Sequence, residues 1–221
     1  MSLHLQTPII YLITSGATTR ASNPASEDFQ NVLALVRAAV KARVSLIQLR
    51  EKNLPARTLY ELAARSTAIT EGTTTRLLVN DRADIARAAR ADGVHLTSRS
   101  IEASVIRRSF GPGFLIGVST HSLRDAQSER ESSAADFAVF GPIFDTPLKR
   151  AYGPPLGLEA LREAARLLSP FPLIALGGVT QENASATLRA GASGIAAIRL
   201  FNDPSTLATT VSAIREDWKV T

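Results

Sequence analysis

The stretch Phe171-Pro-Leu-Ile-Ala-Leu-Gly-Gly-Val-Thr180 contains a short apolar run that ends in two adjacent glycines. An apolar run of this length, with proline before it and glycine after it, is typical of a fully buried β-strand. Gly177 and Gly178 let the backbone turn tightly, and a helix is predicted to begin at Thr180. Bare N–H groups in front of a helix N-terminus can bind an anion, most often a phosphate. A plain strand-to-helix turn is the alternative interpretation.

The same alternation of a buried strand and an amphipathic helix runs along the whole chain. Eight strands are predicted, at residues 9–14, 44–49, 76–79, 93–96, 114–118, 136–140, 173–176 and 194–198. Helical patterns lie between them at residues 28–43, 56–70, 82–90, 101–109, 158–168, 181–190 and 204–218. Eight such strands favour a parallel α/β sheet that closes into a (β/α)8 TIM barrel. A doubly wound open sheet is the alternative.

Composition limits the kind of protein that the sequence can encode. The chain has 221 residues, 45% of them hydrophobic, which suits one barrel domain spanning residues 1–221. It contains no cysteine, which excludes disulfides, thiolate metal sites and a cysteine nucleophile. The net charge of +5 comes without a dense basic run, which favours small anionic substrates over nucleic acid. We find no membrane-span or signal-peptide pattern and therefore predict a soluble, cytoplasmic protein.

Active sites of such barrels lie where the strands end, so the residues at the predicted strand ends are the candidates. The second strand ends in Gln48, Arg50 and Lys52, an amide and two cations that suit a diphosphate. The third strand ends in Asn80 and Asp81, and Asp81 is a candidate Mg²⁺ ligand. A solvated surface turn for the cations and a helix N-cap for Asp81 are the alternatives.

The fourth and fifth predicted strands supply hydroxyl and imidazole groups. His95 lies inside the fourth strand, so we expect a hydrogen-bonded histidine in the barrel interior. Ser119 at the end of the fifth strand can donate a hydrogen bond into the barrel mouth. His121 follows it and can move protons near neutral pH. Helix capping is the alternative for both Ser119 and His121.

The last three strand ends complete the predicted site. The loop after the sixth strand carries Thr146 and Lys149 among prolines, and we interpret it as a lid over a bound anion. The loops after the seventh and eighth strands form the recurring phosphate site of these barrels. Here Gly177 and Gly178 would form it together with Ile198 and Arg199. Two anion sites at one mouth suggest an enzyme that joins a diphosphate-bearing substrate to a monophosphate-bearing one.

An ordered set of short motifs resembles the thiamine phosphate synthase/TenI superfamily over nearly the whole chain. The motifs are Tyr11-Leu-Ile-Thr14, Gln48-Leu-Arg-Glu-Lys52, Val79-Asn-Asp-Arg82, Asp92-Gly-Val-His-Leu96, Gly117-Val-Ser-Thr-His121, Gly141-Pro-Ile-Phe144 and Ala175-Leu-Gly-Gly-Val179. The resemblance implies a (β/α)8 barrel that joins hydroxymethylpyrimidine diphosphate to thiazole phosphate with Mg²⁺ present. A homodimer is a possible assembly.

The resemblance also implies roles for individual residues. Gln48, Arg50, Lys52 and Asn80 would hold the pyrimidine diphosphate, Asp81 would ligate Mg²⁺, and Ser119 and Lys149 would touch the diphosphate. Gly178 and the backbone at Ile198 would hold the thiazole phosphate.

Three positions depart from the pattern of the synthases. Ser100 replaces the aspartate that is the usual second metal ligand, the second hydroxyl of the sixth loop is missing, and Arg199 replaces a serine. A weaker metal site leaves a TenI-type thiazole tautomerase as the first alternative, with His121 as its proton shuttle. A non-catalytic protein that binds a phosphorylated ligand is the second alternative.

Overall fold

The computed structural model describes residues 6–146 and 154–219, and its strands form a closed parallel barrel. The strands are β1 (Ile9–Ile13), β2 (Leu46–Leu49), β3 (Arg76–Asn80), β4 (Gly93–Leu96), β5 (Leu115–Thr120), β6 (Phe137–Phe140), β7 (Leu173–Leu176) and β8 (Gly194–Ala197). Each strand pairs with the next in chain order, and β8 pairs with β1 to close the ring. The predicted barrel is therefore confirmed, and the open sheet is excluded.

Helices follow the strands and cover the outside of the barrel. They are α1 (Glu27–Lys41), α2 (Ala56–Thr70), α3 (Ala83–Ala88), α4 (Ala103–Phe110), α5 (Leu123–Ser132), α6 (Gly157–Leu168), α7 (Gln181–Arg189) and α8 (Leu207–Lys219), with a short 3-10 helix at Arg199–Phe201. The sequence patterns missed α5, because Ala126 is the one buried residue of this mostly polar helix. None of the helices within residues 6–146 and 154–219 has the length and apolar character needed to cross a membrane.

Strand alternation divides the apolar side chains into two cores. Outward residues such as Ile10 and Ile47 pack against the helices, whereas Tyr11 and Phe137 belong to a smaller cluster inside the barrel. The rings of Tyr11 and Phe137 meet edge to face, with centroids 5.7 Å apart. Gly117 provides the space for this arrangement, since a Cβ atom there would lie 2.3 Å from the Phe137 ring. The interior is therefore filled by side chains, and the mouth is where barrels of this kind bind ligands.

A repeated hydrogen bond closes the end of the barrel opposite the mouth. A polar side chain just before each even-numbered strand accepts a bond from a backbone N–H of the preceding strand. The four pairs are Ile10 N–H to Ser45 at 3.2 Å, Leu77 to Asp92 at 2.8 Å, Ile116 to Asp136 at 2.7 Å and Leu173 to Ser193 at 3.2 Å. Each bond satisfies a backbone donor at the start of a strand that would otherwise stay unpaired.

Candidate active site

A chain of side-chain amides links the ends of β2 and β3. The Gln48 amide nitrogen donates to Asn80 Oδ1 at 2.8 Å, and the Asn80 nitrogen donates to Asp81 Oδ2 at 2.7 Å. Gln48 and Asn80 are both buried, while Asp81 is exposed. The Gln48 Oε1 atom is buried without a hydrogen-bond partner among the described residues. A buried acceptor of this kind is satisfied when a ligand donates to it.

The Asp81 carboxylate lies at the centre of a set of oxygen atoms. Ser100 donates to its Oδ1 atom, and Thr97 donates to the same atom at 3.3 Å. The backbone of Asp81 is in the left-handed region, with φ of 59°. Arg82, not Asp81, occupies the N-cap position of α3, so the helix-cap interpretation of Asp81 is wrong.

The Asp81 carboxylate lies near Lys52, which has two further cations, Arg50 and Arg99, near it. Partial burial lowers the pKa of Lys52, Arg50 and Arg99 lower it further, and Asp81 raises it. These effects place Arg50, Asp81 and Arg99 near Lys52, at the ends of β2, β3 and β4. A cavity of about 240 Å³ lies here, and its charged lining residues are Glu51, Lys52, Asp81 and Arg82. The cations near Lys52 suit an anionic ligand.

Glu51 lies between Arg50 and Lys52 in the sequence, and the sequence patterns did not indicate its role. Its carboxylate is buried and accepts bonds from Gly16 N–H at 3.2 Å, Thr18 N–H at 3.1 Å and the Thr18 hydroxyl at 2.6 Å. These bonds attach the β1–α1 loop to the β2–α2 loop. The alternation of side-chain directions could have indicated this, because it separates Glu51 from Arg50 and Lys52.

His95 is a buried, hydrogen-bonded histidine in the barrel interior, as the sequence predicted. Its ring is buried, with Nδ1 3.2 Å from the Tyr11 hydroxyl and Nε2 2.9 Å from Ser119 Oγ. Burial lowers the pKa of His95 to about 4, against an opposing effect of Asp81. Ser119 lies inside β5, and Ser122 caps α5, so the capping interpretation of Ser119 is wrong.

His121 is exposed and is held by the strand next to it. Its Nδ1 atom is 2.6 Å from the carbonyl oxygen of Gly141, at the end of β6. Because a carbonyl only accepts, Nδ1 carries the proton in this bond. In the neutral ring Nε2 then keeps a free lone pair. His121 is not the N-cap of α5, since Ser122 occupies that position.

The two glycines after β7 are required first by packing. A Cβ atom at Gly177 would lie 2.6 Å from Pro142, and one at Gly178 would lie 2.6 Å from Phe144 Cβ. Both glycines also have positive φ values, of 99° and 67°. The β6–α6 loop is paired to this turn, with Phe144 N–H donating to Gly177 O at 2.9 Å. Asn183 also fixes the turn, because its side chain donates to Gly178 O at 3.0 Å.

The predicted phosphate groups lie on neighbouring strand ends. Gly178 lies in the turn after β7, and Arg199 begins the 3-10 helix after β8. Ile198 precedes the 3-10 helix, and its carbonyl accepts from the Asn202 side chain at 2.6 Å. Thr146 is buried, and its hydroxyl has no partner among residues 6–146 and 154–219. Lys149 lies outside the described residues.

The candidate residues form two groups on the rim of the barrel. Those at the ends of β2 and β3 are Gln48, Arg50, Lys52, Asn80 and Asp81, and those at the ends of β7 and β8 are Gly177, Gly178, Ile198 and Arg199. β1 separates the groups on one side, while Ser119 and His121 follow on the other side with β5. The two groups therefore lie on neighbouring parts of the rim. No cluster of three His, Asp or Glu side chains suited to a metal occurs in the described ranges.

Comparison with known proteins identifies relatives whose names agree with one another. Residues 11–201 match the family described as thiamine monophosphate synthase. A Geobacter sulfurreducens protein, provisionally named thiamine-phosphate synthase, is 46% identical over 176 residues, covering 79% of this chain and 82% of that protein. A thiamine-phosphate synthase of Roseiflexus castenholzii is 38% identical over 190 residues, covering 86% and 79% respectively. The solved thiamine phosphate pyrophosphorylase of Pyrococcus furiosus matches with a TM-score of 0.79 at 27% identity, covering 96% of each chain.

Proposed function

This chain belongs to the thiamine monophosphate synthase family, and we propose that it joins hydroxymethylpyrimidine diphosphate to thiazole phosphate with release of pyrophosphate. One observation carries the assignment of the first substrate. The buried Gln48 oxygen, which has no partner among the described residues, lies at the same strand ends as the cations Arg50 and Lys52. A buried acceptor left unpaired costs about 1–3 kcal/mol, so a ligand with an N–H donor is favoured there. An aminopyrimidine with a diphosphate supplies both the donor and the anion.

The reaction requires one bond to break and one to form. The C–O bond between the pyrimidine methylene carbon and the diphosphate breaks, and its electron pair leaves with pyrophosphate. The thiazole nitrogen then donates its lone pair to that carbon to form the C–N bond. Arg50 and Lys52 stabilise the negative charge of the leaving group through charge-assisted hydrogen bonds. Positioning and electrostatics supply the rate, and no protein nucleophile is required.

The second rim group is suited to the phosphate of the thiazole substrate. The backbone N–H groups of Gly178, in the turn after β7, and of Arg199, at the start of the 3-10 helix, can donate to an anion. The Thr146 hydroxyl is a further donor at the same edge, because its loop packs on the Gly177-Gly178 turn. We propose that this group fixes the thiazole ring with its nitrogen towards the pyrimidine methylene. Lys149 stays a predicted contact of the diphosphate.

The oxygen atoms around Asp81 fit a Mg²⁺ ion with one protein carboxylate. Mg²⁺ binds through one or two carboxylates together with substrate phosphates. Asp81 Oδ1 and the hydroxyl oxygens of Thr97 and Ser100 form a compact set of hard donors. When bound, the ion would neutralise charge on the departing pyrophosphate. Ser100 contributes no negative charge, so we expect weak Mg²⁺ affinity.

A thiazole tautomerase is the second candidate function, and the geometry of His121 favours it. The Gly141 carbonyl fixes the proton on Nδ1, which leaves Nε2 able to accept a proton from a substrate. This side chain lies on β5–α5, between the two rim groups in ring order. A tautomerase would need neither Mg²⁺ nor a diphosphate. The two activities therefore differ in their dependence on Asp81 and His121.

One experiment tests the proposed function directly. Purified protein is mixed with both substrates and Mg²⁺, and pyrophosphate release is followed over time. We expect the parent protein to release pyrophosphate and Arg50→Ala to release it more slowly, because a charge-assisted bond to the diphosphate is lost. Arg57→Ala is the matched control, since Arg57 has a 91% exposed side chain on α2. Equal rates for the two variants would contradict the proposed diphosphate site.

The tautomerase assay is run in parallel on the same preparations. For the synthase, EDTA should lower the rate and His121→Ala should change it little, because no proton transfer limits the displacement. For a tautomerase, His121→Ala should reduce the rate by about 10²–10⁴-fold. An EDTA-insensitive activity abolished by His121→Ala would replace the first proposal by the second.

Four expectations about the setting of the enzyme stay predictions. We predict a cytoplasmic location and small phosphorylated substrates, with no specific binding of nucleic acid. The predicted homodimer would be tested by light scattering of the purified protein over a range of concentrations.

A further inference from the structure

The buried carboxylate of Glu51 lies in the middle of the cationic segment of the rim. Glu51 has 2% exposure, and its two oxygens accept three hydrogen bonds from Gly16 and Thr18. Asn53 adds a fourth bond between the same loops, donating to Thr18 O at 3.2 Å. The β1–α1 loop is therefore fastened to the segment that carries Arg50 and Lys52.

The fastened loop is in direct contact with Arg50. The Arg50 N–H donates to the Thr14 hydroxyl at 2.8 Å, so the loop begins against the Arg50 backbone. A Cβ atom at Gly16 would lie 3.2 Å from Arg50 O and 3.6 Å from a terminal guanidinium nitrogen. Gly16 thus packs on both the main chain and the side chain of Arg50. A displacement of Gly16 removes one wall of the space that the guanidinium occupies.

The same bonds also control the charge of the rim. A diphosphate site gains from Arg50 and Lys52 and loses from any free carboxylate nearby, because like charges repel. Three donors hold the Glu51 carboxylate on the side of the β1–α1 loop. Without them the carboxylate would be free to rotate towards the cations and pair with them.

We infer that Glu51 is a positioning residue for diphosphate binding. It fixes the β1–α1 loop against Arg50, and its hydrogen bonds to that loop keep its carboxylate from pairing with the cations. This inference rests on the proposed diphosphate site. Glu51 itself does not touch the substrate and acts through Arg50.

A double-mutant cycle with inorganic pyrophosphate tests the inference. Calorimetry measures pyrophosphate binding to the parent protein, Arg50→Ala, Glu51→Gln and the double variant. Glutamine keeps the size of the side chain but turns one acceptor into an N–H₂ group that faces other donors. We expect Arg50→Ala to weaken binding roughly 10- to 150-fold in the parent protein. In the Glu51→Gln background the same change should weaken it by less than about threefold, because the two residues act as a unit.

Additive effects of Arg50→Ala and Glu51→Gln would overturn the inference, as would unchanged pyrophosphate binding in Glu51→Gln. Glu163→Gln is the matched control, because Glu163 is exposed on α6 and should leave binding unchanged. If Glu51→Gln does not fold, Thr18→Val removes one donor to Glu51 and should show the same coupling to Arg50 at smaller size. Additivity in that cycle would also overturn the inference.

A second readout follows the loop itself. Arg20 is exposed within the β1–α1 loop, so trypsin can cut after it. Glu51→Gln should speed this cut, seen by mass spectrometry, relative to Glu163→Gln. An unchanged rate would show that Glu51 does not hold the loop. Neither readout measures product formation, so a failure of the proposed synthase activity is seen separately, as absence of product from the parent protein.

Discussion

At the scale of single residues, the His95 imidazole shows how burial determines a side chain's chemistry. Burial raises the pKa of Tyr11 well above its usual value, so the phenol keeps its proton. If the phenol donates to Nδ1, the neutral ring donates from Nε2 to Ser119. The opposite tautomer leaves the Tyr11 proton without an acceptor among the described residues. With the first tautomer the Ser119 hydroxyl accepts from Nε2, so its own hydrogen is free to be donated to a ligand at the mouth.

The lowered pKa of His95 predicts a pH-dependent stability. The unfolded chain has a histidine pKa near 6.5, and the folded value is about 4. Between these values the unfolded state binds more protons, so this contribution is complete above pH 6.5 and is lost as the pH falls towards 4. Urea unfolding measures the free energy of unfolding across this pH window. From pH 6.5 to 4 it should fall by up to about 3 kcal/mol more in the parent protein than in His95→Gln. Parallel pH profiles for the two proteins would contradict the shift.

At the scale of elements, the turn after β7 shows what sequence reasoning could and could not predict. The apolar run and the two glycines correctly predicted a buried strand and a tight turn before a helix. The reason for the glycines lay elsewhere, in the packing of Pro142 and Phe144 from the previous loop. Such contacts join positions distant in sequence, and no local pattern records them. The same limit hid the partners of Glu51, which are 33 and 35 residues away.

This packing predicts the effect of adding one methyl group to the turn. Gly178→Ala places a Cβ atom against Phe144 at a positive φ, whereas Gly72→Ala meets nothing within 4 Å at a similar φ of 74°. In both variants, backbone strain should lower the free energy of unfolding by about 1–3 kcal/mol. In Gly178→Ala, overpacking should lower the free energy of unfolding by about 1–3 kcal/mol more. Thermal unfolding measures both, and equal losses would contradict the packing role.

The β6–α6 loop should move in Gly178→Ala, because Phe144 and the new methyl group cannot occupy the same space. Calorimetry with thiazole phosphate should then show weaker binding to Gly178→Ala than to Gly72→Ala. Equal affinities would mean that the turn does not form the proposed phosphate site.

At the scale of the whole molecule, the two ends of the barrel have different tasks. The mouth holds buried polar atoms that have no partner within residues 6–146 and 154–219, including Gln48 Oε1 and the Thr146 hydroxyl. At the opposite end, Arg107 donates to the carbonyls of Ala134, Gly111 and Phe114 and to Asp136 Oδ2. The sequence indicated the mouth because chemically active residues follow the strands there. The opposite end was not predicted, since its arginine and aspartate look like ordinary surface charges.

This division predicts that stability and binding can be changed separately. Arg107→Ala should lower the free energy of unfolding by about 2–4 kcal/mol, because three carbonyls lose this donor and the partly buried Asp136 carboxylate loses its charged partner while keeping the Ile116 N–H. The KM for the diphosphate substrate should stay unchanged, since Arg107 lies at the end opposite the mouth. Arg108→Ala is the matched control, as Arg108 is the exposed neighbour on α4 and should change neither quantity. A raised KM in Arg107→Ala at a temperature where it is fully folded would show that the two ends are coupled.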